Sequence, residues 1–378
     1  MSGDLSVFSS PEVKELIQDM RDLFSQSRLA FLIGAGCSKV AGLPLMSELT
    51  ERVLDHEKLS NESKTLLKKI SESFEGAQSA TIEDYMSELV DFHSIAERRA
   101  ERGSTQLKVS VGGQDRDSAE LRKALDEIKG AIASEISDTE INIATHQQFV
   151  RAIHGSLQAG RELRTVDYFV LNYDTLIEDA LGLEKVAYCD GFTGAATGWW
   201  EPSVFKSKGT AARVFKIHGS IDWCLLKDDS LPRRIRYGIN TESQRDHVLI
   251  YPATTKYQEA QRDPFAQMLN YMRKSLCPTE GKEIILAVCG YSFGDSHINL
   301  EIENALYQSS GRLTVAAFVG SDEPEGKLGD WLVDNKICEQ IRVYANKGLF
   351  HGKKHIKDKM DLPWWKFEIL TRLLGGER

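Results

Sequence analysis

Five apolar residues, Leu29-Ala30-Phe31-Leu32-Ile33, run straight into Gly34-Ala35-Gly36. This junction constrains the fold more than any other stretch of the chain. A continuous apolar run of that length, closed by glycine, suits a strand buried on both faces of a parallel sheet. Glycine lets the backbone turn sharply and approach a ligand closely, and neighbouring N–H groups can face a phosphate. Ser38 adds a hydroxyl, and an amphipathic helix is expected from Ser47 to about Lys58. Doubly wound α/β domains hold a pyrophosphate in this order: strand, glycine turn, helix. The G-x-G-x-x-G spacing is not met, because Lys39 stands where the third glycine would be. That argues against an ordinary hydride-transfer dehydrogenase. Taken alone, Gly34-Ala35-Gly36 fits equally a tight turn in any α/β protein.

At 378 residues the chain can bury a large core, as one big domain or two. Its 47 Lys and Arg against 56 Asp and Glu leave a net charge of −9. A general nucleic-acid coat is thereby excluded, although a local basic patch is not. No apolar run approaches the roughly 20 residues of a membrane span. The N-terminal residues lack the basic-then-apolar layout of a signal peptide, so a cytoplasmic location is expected. The six cysteines, at 37, 189, 224, 277, 289 and 338, are scattered, and several fall in apolar strands. They read as buried reduced thiols rather than disulfides. The absence of any C-x-x-C pair speaks against a four-cysteine zinc site.

The remaining chain alternates helical and strand patterns. Ser10 and Pro11 start a helix with Val13, Ile17, Met20 and Phe24 on one face. From Glu51 to Gln158 the pattern is almost wholly helical, with helix starts at Thr81 and Ser118 and a third helix over Ala144–Leu157. Arg98 to Asp117 between them reads as a loop. This region is expected to be a helical insertion between the first two strands: a lid, a scaffold or an oligomer surface. Strand patterns follow at Val166–Leu171, Val214–Ile217, His247–Tyr251, Ile284–Val288, Leu313–Val319 and Ile341–Tyr344. Asp190–Trp200, with the pair Trp199-Trp200, and the basic Leu225–Asn240 read as irregular. A helix is expected from Asp263-Pro264. The lysines between Lys347 and Lys359 read as a solvated face, and Pro363–Leu374 as an apolar closing helix docked on the main domain or a neighbouring subunit.

Polar text stands at the ends of three further strands. Asn172 and Asp174 follow the Val166 strand, where α/β sheets place their ligands, though either Asp174 or Thr175 would equally serve as a helix cap. His218-Gly219 ends the Val214 strand; an imidazole there suits either a structural hydrogen bond or proton transfer near neutral pH. Gly290 and Ser292 follow the Ile284 strand, with Asp295 and Ser296 read as caps of the next helix. In a parallel sheet all four ends would open at one edge.

The order G-A-G-x-S, N-x-D, H-G, G-Y-S resembles the sirtuin family, over framework strands covering about half of the chain. Sirtuin deacylases carry a zinc ribbon with two cysteine pairs, absent here, and Leu171 replaces the expected glutamine. The spellings N-Y-D-T-L, H-G-S-I-D-W and G-Y-S-F-G-D-S-H-I-N are similar to a sirtuin-like branch of prokaryotic anti-phage defence proteins that break NAD down. Some of that branch are encoded with a HerA-like hexameric ATPase.

The resemblance implies a doubly wound, mostly parallel Rossmann-like α/β fold, with residues 1–50 and 160–346 as the NAD-binding catalytic domain. Residues 51–159 would form the helical insertion and 347–378 a C-terminal helical segment. It implies NAD as substrate, no metal, and a HerA-like ATPase partner; the large helical insertion and the apolar C-terminal helix add the expectation of a homo-oligomer. Asn172 would position water and ribose, Asp174 the nicotinamide amide, and His218 would take a proton. Gly34, Ala35, Gly36 and Ser38 would cradle the pyrophosphate; Gly290 and Ser292 would contact phosphate or ribose. The alternative is a catalytically silent sensor of NAD or ADP-ribose that regulates a partner.

Overall fold

The Leu29–Ile33 run forms the middle of a nine-stranded sheet. The computed structural model describes residues 5–26, 28–74, 80–155, 165–195, 197–226, 229–235, 246–249 and 263–377. In chain order the strands are β1 (Arg28–Ile33), β2 (Val109–Val111), β3 (Gln114–Arg116), β4 (Val166–Val170), β5 (Tyr188–Cys189), β6 (Phe192–Gly194), β7 (Thr197–Trp200) and β8 (Ala212–Lys216). Then come β9 (Gly219–Leu225), β10 (Arg233–Ile235), β11 (Asp246–Leu249), β12 (Ile284–Cys289), β13 (Leu313–Phe318), β14 (Ile341–Ala345), β15 (Gly348–His351) and β16 (Lys354–Lys357). The α-helices are α1 (Pro11–Gln26), α2 (Ala35–Lys39), α3 (Met46–Asp55), α4 (Asn61–Ser71), α5 (Ile82–Glu101), α6 (Ser118–Ser137) and α7 (Ala144–Val150). They continue with α8 (Leu176–Leu183), α9 (Phe265–Leu276), α10 (Ser296–Gln308), α11 (Gly326–Val333) and α12 (Phe367–Leu374).

The large sheet has the order β16-β15-β14-β13-β12-β1-β4-β8-β5. From β14 to β5 its strands are parallel; β15 and β16 add an antiparallel edge. This is the mostly parallel, Rossmann-like α/β architecture expected from the sequence. From β1 the chain runs by way of β4 to β8 on one side, whereas β12, β13 and β14 build the other. The strand order therefore reverses between β1 and β12, and such a reversal opens a crevice beyond the carboxyl ends of the strands.

Register brings the polar strand ends together. Ile33 pairs with Cys289 on one side and Val170 on the other, and Val170 pairs with Lys216. Gly34, Leu171, Ile217 and Gly290 consequently leave one edge side by side. Arg28 of β1 and Arg213 of β8 both bind the fully buried Asp167 of β4, at 2.6 and 2.7 Å, fastening three of these strands together.

Both faces of the sheet are covered, which explains why β1 is apolar throughout rather than alternating. Phe31 and Ile33 pack with α1, with Phe149 and with Phe367 and Leu370 of α12. Ala30 and Leu32 face the opposite layer, with Met268 and Met272 of α9, Ile302 of α10 and Trp331 of α11. Helices α3 to α6 bury a third core of their own, including Leu67, Met86, Leu89, Leu125 and Ile128. Tyr173, between Asn172 and Asp174, is buried in that third core, and its hydroxyl donates to Glu83 of α5 at 3.1 Å. The inserted helices thus grip the loop that follows β4. Tyr173→Phe should cost about 1 kcal/mol, seen as a lower urea midpoint with unchanged secondary structure.

Several local readings are corrected. The 98–117 stretch is no simple loop: α5 continues to Glu101, and β2 and β3 form a hairpin. Phe192–Trp200, read as irregular, forms the β6–β7 hairpin of a second, antiparallel sheet ordered β11-β9-β10-β7-β6. The described part of Leu225–Asn240 contributes β10 to the same sheet. Short strands closed by glycine carry too few apolar positions for alternation to reveal them. The 347–378 segment, read as helical, opens with the β15–β16 hairpin before α12. Its lysines mark an exposed edge strand, where charge discourages further pairing. Helix α7 ends at Val150 and passes into a π-helical turn, Arg151–Gly155, so the expected helix over Ala144–Leu157 holds through its described residues with a change of winding at Arg151. Gln158, Leu157 and Ile250–Pro252 lie outside the described residues. All six cysteines are free, four of them buried. No helix among the described residues is long and apolar enough to cross a membrane.

Candidate active site

The two glycine turns meet at the point where the strand order reverses. The Gly34 N–H donates to the Cys289 carbonyl and the Gly36 N–H to the Gly290 carbonyl, both at 2.9 Å. A Cβ on Gly34 would stand 2.5 Å from the Gly290 oxygen, and one on Gly290 2.4 Å from the Cys37 nitrogen. Side chains are excluded because one backbone crosses directly over another. Two of the amides read as a phosphate cradle are therefore engaged within the protein. Gly34→Ala should cost about 1–3 kcal/mol from overpacking, measured as a shift in denaturant midpoint.

Beneath this crossing lies a chain of buried hydrogen bonds. The Asn172 amide donates to the Gly34 carbonyl at 3.0 Å and to Ser38 Oγ at 2.6 Å. Ser38 Oγ in turn donates to Asp174 Oδ2 at 2.6 Å. The other oxygen of Asp174 accepts the Leu176 N–H at 3.1 Å, starting α8. Asp174 thus holds the first N–H of α8 from just before the cap position, which Thr175 occupies, and also accepts from Ser38, a contact not read from the sequence. Asn172, Asp174 and Ser38 are all buried, whereas Gly36 is exposed and Ala35 half-buried at the rim.

His218 follows β8 and is buried. Gly219, at φ 86°, then swings the chain out of the large sheet into β9. His218 Nε2 lies 3.1 Å from Asp295 Oδ2. The other oxygen of Asp295 accepts the His297 and Ile298 N–H groups at 3.0 and 3.4 Å, capping α10. Ser292, by contrast, is exposed at the tip of the turn.

A buried ion pair sits under the same edge. Lys216 Nζ donates to the Asp174 carbonyl and lies 3.7 Å from Glu178 of α8. Burial pushes the Glu178 carboxyl up to about 7, against the opposing pull of Lys216. His146 is buried nearby; burial lowers it to about 4, while the Asp174 carboxylate pulls the other way. Burial also raises the Cys37 thiol well above its usual range, with Cys289 and Asp174 adding to the effect. A thiol in that state is a packing group rather than a nucleophile.

Sequence reasoning missed Lys216 and Glu178 altogether and read Asp295 as a cap alone. One signal was present: a lysine inside the apolar run Val214-Phe215-Lys216-Ile217 requires a buried partner. The tryptophan pair divides, with Trp200 packed against Phe192 and Phe205 and Trp199 largely exposed. Among the described residues, no group of three or more His, Cys, Asp or Glu is arranged to hold a metal ion.

This combination defines a class: a mostly parallel α/β domain with a polar, partly buried site at its strand reversal. The family model of the SIR2-like domain matches residues 166–339, just under half of the chain. The matched segment spans Asn172, Asp174, His218, Gly290, Ser292 and Asp295. It leaves out the Gly34–Ser38 turn and the inserted helices. No curated protein matches the sequence.

Proposed function

We propose that this chain is an NAD glycohydrolase, converting NAD and water to nicotinamide and ADP-ribose. The observation that carries this reading is the convergence of Asn172, Asp174, Ser38 and His218 on one sheet edge, at the reversal between β1 and β12. Binding alone would not call for an amide, a carboxylate and an imidazole together.

The bond between ribose and nicotinamide breaks through an oxocarbenium-like centre, as glycosidic bonds do. The nicotinamide ring already carries positive charge, so it leaves with the bonding electrons as a neutral base and needs no strong acid. Water oxygen bonds to C1′, and the proton it loses passes to His218. Asn172 orients the water and the ribose; Asp174, held by Ser38 and the Leu176 N–H, receives the nicotinamide amide. With the Gly34 and Gly36 amides engaged, the part of the glycines is to bring a bare backbone close to the pyrophosphate. Ala35, Ser38, Gly290 and Ser292 complete that contact. Fixed dipoles in a water-poor cleft stabilise the developing charge.

The role is that of an effector in an anti-phage, abortive-infection type of defence, acting in the cytoplasm. Self-assembly or a HerA-like ATPase controls it; uncontrolled NAD loss would kill the host. Residues 1–50 and 160–346 form the catalytic unit, and 51–159 the insertion. The test is to incubate purified protein with NAD, alone and with the ATPase, and follow nicotinamide. Release of one nicotinamide per NAD lost supports the reading. Binding without turnover would select a sensor instead.

A further inference from the structure

Asp295 contributes both of its carboxylate oxygens. One holds the first N–H groups of α10, at 3.0 and 3.4 Å, and the other lies 3.1 Å from His218 Nε2. The backbone of Asp295 is fixed as well. Its N–H donates to the Tyr291 hydroxyl at 3.2 Å, and its carbonyl accepts that hydroxyl at 3.0 Å. Tyr291 also binds Asn299, whose amide holds the Phe293 carbonyl at 2.7 Å. A carboxylate restrained in this way cannot swing freely, and the imidazole against it shares that restraint. Both side chains are only 11% exposed, so the contact is weakly screened.

We propose that Asp295 is a positioning residue for His218, fixing which ring nitrogen carries the proton and strengthening the ring as a base. An Nε2–H donated to Asp295 places the lone pair on Nδ1, and so assigns proton uptake to Nδ1. The adjacent negative charge stabilises the imidazolium that forms when the proton arrives. Other charged groups of this edge are engaged with one another: Lys216 with Glu178 and the Asp174 carbonyl, and Asp174 with Ser38. Asp222 acts electrostatically on Glu178 and Asp190, and His297 offers its backbone N–H to Asp295. The second glycine turn thereby acts through Asp295 on the imidazole, whatever Ser292 contributes. The catalytic meaning of this contact rests on the hydrolase reading above; the contact itself does not.

The test uses two variants. Asp295→Asn removes the charge and keeps an acceptor for the helix start; Asp295→Ser keeps a cap in a shorter side chain. Circular dichroism identifies which of them is folded. The titration of His218 is followed by NMR of the imidazole Cε1–H, with the resonance identified by its loss in His218→Gln. In either folded variant the midpoint should fall by about one pH unit. A midpoint unmoved within about 0.3 unit overturns the proposal, on the same scale. In NAD turnover, kcat should fall at least about tenfold with KM little changed, and the acid limb of its pH profile should move with the NMR midpoint. Unchanged kcat would equally overturn it. A shifted midpoint in a protein that consumes no NAD supports the coupling and sinks the hydrolase reading instead.

Discussion

His218→Ala should lower NAD turnover by about 10²–10⁴-fold while leaving the affinity for NAD within a few-fold, because an acid–base residue contributes on that scale and ground-state binding does not depend on it. His218 is buried and its ring lies 3.1 Å from Asp295. Its removal also takes the imidazole partner from the largely buried Asp295 oxygen, so a moderate loss of stability of about 1–3 kcal/mol should accompany the kinetic effect. Nicotinamide release and calorimetric binding of NAD, measured on the same preparation, check both halves. Near-normal turnover would remove His218 from the mechanism.

The second large effect belongs to Lys216. Its ammonium is 1% exposed and sits against Glu178 and the Asp174 carbonyl. Lys216→Ala strands a buried carboxylate, and breaking a buried pair in this way costs about 3–5 kcal/mol. The sign of the pH dependence follows from Glu178. Its folded value, about 7, lies above the ordinary 4.5, so folding favours the protonated acid. Stability from this group is full below about 4.5 and is lost as the pH rises towards 7. In Lys216→Ala the opposing charge is gone, so the loss deepens at neutral and alkaline pH and shrinks in acid. Urea midpoints of wild type, Lys216→Ala and Lys216→Ala/Glu178→Gln at pH 5.5 and 8 provide the measurement. The double variant should recover most of the loss at pH 8. A single-variant deficit equal at both pH values would show that Glu178 is not the stranded group.

The buried histidines act in the opposite direction. His146 and His154 are both pushed down to about 4 by burial. Their contribution is present above 6.5 and falls away as the pH drops towards 4. Comparing variants at fixed pH isolates Glu178 from this background.

Much of the architecture was legible before any coordinates. The apolar text of Leu29–Ile33 and Ile284–Val288 could satisfy itself only between two covering layers, and the glycines after each could mark only strand ends. That fixed a covered parallel sheet, and it brought four polar strand ends to one edge. What the sequence could not fix were contacts between residues far apart in the chain. Asp295 and His218 are separated by a helix and several strands, Lys216 and Glu178 by three short strands, and Tyr173 and Glu83 by the long helices α5 and α6. Periodicity reports which face of an element is buried, not which neighbour meets it. The register of β12, β1, β4 and β8, set by hydrogen bonding across the sheet, brought His218 and Asp295 to one edge, while packing of α8 and of the inserted helices decided the other two pairings. It also decided that the Gly34 and Gly36 amides close a backbone crossing, a result no local spacing could have revealed.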